Sequence, residues 1–305
     1  MYTRNYITKG GVPMERLLID NWTMQEIASD LTDLPDEKIS AAYAELLTAL
    51  VLWDEIYYPN NELSQYWRNT GLEEELSNFI KPYDDRNQIF MDKAKELYKN
   101  YYLDKGTEVV VSGAIRYLML SNTLNCDYLA YKLRAKFIDT YNPIKEMSYK
   151  INRREYTNFL DKNIIEKFEE LNEILGRNVF EFDMPVLVDY IIQNTPDNKS
   201  YIQYALSLRK EKWVVEYRKF MLEMEKELEN CNWKKIFEFQ EASRELVNNI
   251  TKIDKKHIIN ASVSISVTPS IDVSKEFAVG RKKVNLTFFK KLAEFAFSGR
   301  VIKKK

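Results

Sequence analysis

The stretch SYIQYALSLRKEKWVVEYRKFMLEMEKELEN, residues 200–230, decides the fold class. Ile202, Leu206, Trp213, Tyr217, Phe220, Met224 and Leu228 recur at steps of three, four or seven. At 3.6 residues per turn these steps draw one apolar stripe down a helix of about eight turns. Ser200 with Gln203 three residues later reads as a capping box at its start. Lys212 and Glu216, like Lys219 and Glu223, stand four apart on the wet face. Asn232 can cap a second long helix carrying Ile236, Phe239, Leu246, Ile250 and Ile253, so residues 200–254 read as a helical hairpin.

Composition extends that reading to the whole chain. Among 305 residues, 45% are hydrophobic and 30% charged, with only eight glycines and eight prolines. Turn residues this sparse point to a globular, helix-rich protein. The 20 tyrosines and 15 phenylalanines suit aromatic cores, with base-stacking platforms as the sharper alternative. No apolar run approaches the roughly 20 residues needed to span a bilayer. The first 20 residues lack the apolar core and cleavage site of a signal peptide. Cys126 and Cys231 are too few for a disulfide framework, so a soluble, reduced, cytoplasmic protein is expected.

The other elements are shorter. Arg16–Trp22 suggests a strand and Thr23–Leu31 a helix, and Pro35 suits the first turn of another helix with Ile39, Tyr43, Leu46 and Leu50 inward. ALVLWDEIYYP (49–59) predicts a buried strand near 51–58. Asp84 or Asp85 can cap a helix through Phe90, Ala94 and Leu97. Thr107–Leu124 is a broader apolar helix, in which Ser112 and Gly113 allow close approach by a neighbour. Residues 139–154 are polar and read as a connection. Helices follow from Leu160 to Leu175 and from Pro185. The polar run Gln193–Ser200 sets the expected domain boundary, dividing 1–195 from 196–305. Strict alternation in ASVSISVTPSIDV predicts a β-hairpin near 262–273, and Thr287 caps a last helix bearing Phe288, Phe289, Leu292, Phe295 and Ala296. The expected fold is α+β and predominantly α-helical.

Several chemistries are excluded. His257 is the sole histidine, which rules out multi-histidine metal sites, and no GxSxG accompanies it. No CxxC, GxGxxG or GxxxxGK[ST] occurs. Carboxylate chemistry survives. Mg²⁺ or Mn²⁺ needs converging carboxylates, and Asp54, at the end of an apolar run, is the natural first ligand. Asp85 and Asp183 join it as metal candidates, Glu55 and Asp127 as catalytic ones; helix capping and salt bridging are the bland roles for the same residues.

Charge is uneven. Residues 1–200 hold 23 Lys+Arg against 33 Asp+Glu, a net of −10, while 201–305 hold 22 against 13, a net of +9. Nine of the basic residues lie in 281–305 with one acid, Glu294. Arg281, Lys282, Lys283, Lys290, Lys291 and Arg300, beside phenylalanines, can contact phosphates, an acidic partner or an acidic membrane. Arg209 interrupts the apolar stripe and could grip a phosphate or a buried carboxylate. The leading expectation is therefore a non-enzymatic interaction or assembly subunit that needs no cofactor, its basic C-terminal region contacting a protein partner or a second copy. A Mg²⁺- or Mn²⁺-dependent nuclease centred on Asp54 is the alternative, with nucleic acid as its partner. A peripheral membrane protein ranks third.

Overall fold

In the computed structural model, the described residues are 8–9, 12–13, 15–32, 39–59, 72–83, 88–99, 105–141, 161–167, 169–170, 185–230, 232–250, 277–279, 282–284 and 286–298. They form an α+β protein, mostly helical, with a small parallel sheet. The chain divides into two compact units, Met1–Ile151 and Asn152–Lys305. That division falls in the polar connection at 139–154, whereas the polar run at 193–200 lies inside the second unit, between two packed helices. Among the described residues no helix is long and apolar enough to cross a membrane.

The first unit opens with a short antiparallel pair, β1 (Thr8–Lys9) and β2 (Val12–Pro13). Strand β3 (Arg16–Ile19) follows, then helices α1 (Asn21–Thr32) and α2 (Ala41–Leu52), and β4 (Glu55–Pro59). Helix α3 (Glu73–Ser77) leads to β5 (Ile80–Tyr83), and α4 (Gln88–Tyr98) and α5 (Lys105–Leu124) lead to β6 (Asp127–Leu129) and α6 (Lys132–Tyr141). The four-stranded sheet runs β5-β4-β3-β6, every pair parallel, with Leu17 opposite both Ile56 and Asp127. Parallel neighbours require crossovers, and the intervening helices supply them. Leu17, Leu18, Ile19, Ile56, Tyr128 and Leu129 are all buried, so β3, β4 and β6 lack the in–out alternation of a half-exposed strand.

The sequence predicts two strands where the sheet has four, and the one expected at Arg16–Trp22 is β3, Arg16–Ile19. The expected strand at 51–58 is half helix: Val51 and Leu52 finish α2, whose last turn is closed by Trp53 N–H to Ala49 O at 3.0 Å, and the strand begins at Glu55. Ser40, whose side chain accepts Tyr43 N–H, caps α2, so the helix begins after the Pro35 expected in its first turn. At the end of α5, Asn125 adopts φ 51° and Cys126 N–H reaches back to Ser121 O at 2.9 Å, an αL stop that turns the chain straight into β6.

In the second unit, α7 (Val186–Gln193), α8 (Tyr201–Leu208), α9 (Lys212–Glu229) and α10 (Trp233–Ile250) precede a small antiparallel pair, β7 (Phe277–Val279) and β8 (Lys282–Val284), and the last helix α11 (Thr287–Ser298). The single long helix expected at 200–230 is broken at 209–211. There Lys210 and Glu211 make three-residue bonds to Ser207 and Leu208, and Glu211 O restarts the ladder to Val214 and Val215. No capping box forms at Ser200, which instead donates its N–H and hydroxyl to Asp197 Oδ1. The hairpin expected at 262–273 lies outside the described residues. Tyr217 stacks on Phe288 with centroids 3.9 Å apart, and Phe239 and Trp213 close around Phe289 and Phe288.

Asp161 in this unit accepts Val186 N–H at 3.1 Å, at the first turn of α7. Burial pushes its carboxyl up to about 7 from 3.8; the Val186 bond opposes the shift and the charge of Asp189 adds to it. The folded state thus prefers the protonated acid. A destabilising cost appears as pH rises above the unfolded value, 3.8, and is complete above about 7. At about 1.4 kcal/mol per unit it has a ceiling of about 4 kcal/mol, which partial exposure lowers to about 2. Asp161→Asn keeps an acceptor for Val186 without the charge. Urea unfolding should show it more stable than the natural protein by about 2 kcal/mol at pH 8 and equal to it near pH 4; a pH-independent difference would refute the assignment.

Candidate functional site

The carboxylates expected from the sequence gather at the amino-terminal edge of the sheet, where each has a structural partner. Asp54 Oδ2 accepts Glu15 N–H at 3.0 Å, while Glu15 O accepts both Asp54 N–H and Glu55 N–H. Asp127 Oδ2 accepts Trp53 Nε1–H at 2.7 Å. Glu55 pairs with Arg16 at 3.1 Å and with Lys81, and accepts the Tyr57 hydroxyl at 3.0 Å. Burial works to raise Glu55, but the hydrogen bonds from Lys81 and Tyr57 and the charges of Lys81 and Arg16 outweigh it and hold the carboxyl below its usual range. Tyr57 is pushed up to about 12, by burial and then by Glu55. These groups tie the entries of β3, β4 and β6 together. Among the described residues no three or more His, Cys, Asp or Glu come together to hold a metal ion. Asp85 and Asp183 lie outside the described residues.

The basic candidates belong to the second unit. Arg209 is buried, and its carbonyl accepts Arg218 Nη2–H at 3.4 Å. Lys290 is buried and pairs with Glu294 at 3.5 Å, while exposed Lys291 lies 4.8 Å from the Trp213 ring centroid. Phe288 and Phe289 are core residues rather than a stacking platform. Lys282 and Lys283 belong to β8; Arg281 and Arg300 lie outside the described residues.

The opposite, carboxyl-terminal edge holds what the sequence reading missed. Asp20 leaves β3 and caps α1: Oδ1 accepts Trp22 N–H at 3.0 Å and Thr23 N–H at 2.9 Å. Its Oδ2 accepts the Tyr128 hydroxyl at 3.0 Å, Tyr131 N–H at 2.9 Å and Arg134 Nη1 at 3.0 Å. Burial, then the Asp20 charge, holds the Tyr128 phenol well above the tyrosine range, so it remains a donor. Asp20 thus joins the turns leaving β3 and β6, the two strands where the strand order reverses: β4 and β5 follow β3 on one side, and β6 lies on the other.

Arg134 is 2% exposed and sits flat between two surfaces. Its guanidinium carbon lies 4.1 Å from the Trp22 ring centroid on one side. On the other is Gly113 of α5, where a Cβ would stand 2.7 Å from the guanidinium carbon, Nε and Nη2. The close approach expected at Gly113 is made by this arginine. Nη1 bonds Asp20 and Asn21 Oδ1, the latter at 2.9 Å, while Nε is buried with no hydrogen-bond partner. Beside it opens a cleft of about 200 Å³. Among the described residues, Lys95, Arg116 and Arg134 line it with one acid, Glu108; Trp22, Met91, Ala94 and Val109 form its apolar walls. Two sequence signals could have found the site: an apolar run ended by an aspartate that starts a helix (LLIDNW, 17–22), and a lone glycine inside a helical pattern.

Comparison with protein-family models, with curated proteins and with solved structures finds no match.

Proposed function

We propose that the first unit binds a small anionic molecule in the cleft that the starts of α1 and α6 form with α4 and α5. One observation carries this reading: a buried arginine, held by Asp20 and flattened against Gly113, keeps an unpartnered Nε beside a cleft lined by two further cations. Ligands of open parallel sheets bind beyond the carboxyl ends of the strands at the point where strand order reverses, which is where this cleft stands. A guanidinium fixed in advance recognises an anion at low entropic cost. The volume, about 200 Å³, is below the roughly 300–1,000 Å³ usual for drug-sized ligands and argues against a dinucleotide.

The test is native mass spectrometry of the full chain after incubation with a small-molecule cell extract. The natural protein should retain a small ligand that Val109→Trp, which fills the cleft from an exposed wall position, does not. Equal retention by both proteins, or none by either, would contradict the proposal.

The charge pattern supports a second reading, contact of the basic C-terminal region with an acidic partner. Nine cations against one acid in 281–305 favour it. Its test must spare α11, because a chain ending at Gly280 would lose the buried Phe288, Phe289 and Leu292. Replacing Lys303, Lys304 and Lys305 by glutamate should weaken salt-sensitive binding of a polyglutamate probe by at least about tenfold, at about 1 kcal/mol per reversed contact; unchanged binding would make these lysines a solubilising tail.

A further inference from the structure

We infer that the outward face of α10 docks against the same face of a second copy of this chain, with the two helices antiparallel. Ile236, Phe239 and Leu246 bury one side of α10, where Phe239 meets Phe220 of α9 and Phe289 of α11. At about 100° per residue, Trp233, Lys234, Phe237, Glu241, Arg244 and Glu245 fall within an arc of about 120° on the opposite side. All six are exposed. Trp233 is 56% and Phe237 63% exposed, one turn apart on this arc. Single apolar residues are ordinary on a protein surface, but two large aromatics side by side on one helix face are the composition of an interface core.

Charge says what covers them. Lys234 stands on the amino-terminal side of Phe237 and Glu241 on its carboxyl-terminal side. Close to two turns separate this lysine from this glutamate, so they share one flank of the face. A parallel copy would set Lys234 against Lys234 and Glu241 against Glu241. An antiparallel copy, related by a two-fold axis between Phe237 and Glu238, sets each Lys234 level with Glu241 of the second copy on that same flank. At a rise of about 1.5 Å per residue, the same axis brings the two Phe237 side chains to heights within about 2 Å of each other. Glu241 pairs with Arg244 of its own helix at 2.8 Å, an exposed pair that water screens and that costs little to rearrange. An acidic membrane is the poorer occupant, because Glu241 and Glu245 would face its headgroups. One helix face of 18 residues buries less than the roughly 800 Å² per partner of a standard interface, so dissociation is expected on the order of 0.1 mM.

The experiment is sedimentation equilibrium of the full chain from about 10 μM to about 1 mM. The natural protein should pass from monomer to dimer across this range. Phe237→Ser and Trp233→Ser, both at exposed positions, should weaken association at least about tenfold, since each change removes a contact from both copies. Lys234→Glu and Glu241→Lys should each weaken it about tenfold, and the double charge-swap variant should return it to within about threefold of the natural value. Each variant should keep the circular dichroism of the natural protein. A chain that stays monomeric at about 1 mM overturns the inference and leaves this face to a different protein. A dimer indifferent to Phe237→Ser overturns it too, because that dimer must use another surface. If Phe237→Ser dissociates the dimer but the charge swap does not restore it, the antiparallel docking is wrong.

Discussion

Asp20→Asn should cost the first unit about 3–5 kcal/mol, because it leaves the Arg134 cation buried without its counter-charge. Five donors converge on the two carboxylate oxygens: the Trp22, Thr23 and Tyr131 N–H groups, the Tyr128 hydroxyl and Arg134 Nη1. Asparagine preserves the Oδ1 acceptor that caps α1, yet it turns an amide donor toward three donors. Urea unfolding should therefore show a lower midpoint at an unchanged slope, the signature of lost stability without a changed denatured state. Arg134→Met alone strands the carboxylate and should also destabilise. The double variant should recover part of the sum, since an uncharged pair of similar volume avoids the desolvation of both ions. Additive costs would mean that the two side chains act independently and that the proposed coupling of β3 to β6 is wrong.

Gly113→Ala is the second large effect, and its sign is diagnostic. In an exposed helix interior, alanine is favoured over glycine by about 1 kcal/mol. At position 113 a Cβ would stand 2.7 Å from three guanidinium atoms. A free arginine tip would swing aside cheaply, but this one is fixed by Asp20, Asn21 and the Trp22 face. Overpacking costs of about 1–3 kcal/mol should then outweigh the propensity gain. The variant is expected to lose about 1–2 kcal/mol of stability and to bind an anionic ligand on the order of a hundredfold more weakly, as a displaced charge-assisted contact requires. A stabilised Gly113→Ala protein with intact binding would show that Arg134 has room to move and that the glycine is incidental.

The residues that announced themselves in the sequence were those with period. Helices at 105–124, 186–193, 233–250 and 287–298 were legible because their buried faces recur every three or four residues over several turns. The parallel sheet is legible only at β3, within the expected strand Arg16–Trp22, and in part at β4. Its strands are only three to five residues long, and Leu17, Leu18, Ile56 and Tyr128 are buried with no polar alternation to separate a strand from a helix segment. ALVLW shows the ambiguity directly: the same apolar run closes α2 and only then becomes β4. The break at 209–211 was hidden because no glycine or proline marks it, only the charged run Arg209-Lys210-Glu211.

The site was half legible. Asp54 and Glu55 stand out in the sequence beside the expected strand at 51–58 and Asp127 as a candidate to join them; all three flank strands, but at the edge where the strands begin. The carboxylate at the opposite edge, Asp20, sits one residue beyond a four-residue strand, and its partners lie up to 114 residues away in the chain, at Arg134. Pairings of that range cannot be read from local pattern. Gly113 reads in the sequence as a point of close approach, while Arg134, its partner, carries no local signal: the helix that holds it, Lys132–Tyr141, is short and polar. In the C-terminal region, Phe288 and Phe289 neighbour the lysines in sequence but point into the core, and Lys290 is buried and ion-paired through Glu294. Sequence proximity of cations and aromatics did not distinguish a binding platform from a packed helix with a wet edge.

The most direct test of the cleft reading is the side-chain Nε–Hε nuclear magnetic resonance signal of Arg134, followed as the small-molecule fraction of a cell extract is added to the full chain. Buried and without a hydrogen-bond partner, this N–H should give a separate, slowly exchanging resonance. It should shift saturably on addition while that of Arg209, buried in the second unit, stays in place. An Arg134 signal that never moves, or that moves together with Arg209, would contradict the assignment of the carboxyl-terminal edge of the sheet as the ligand site.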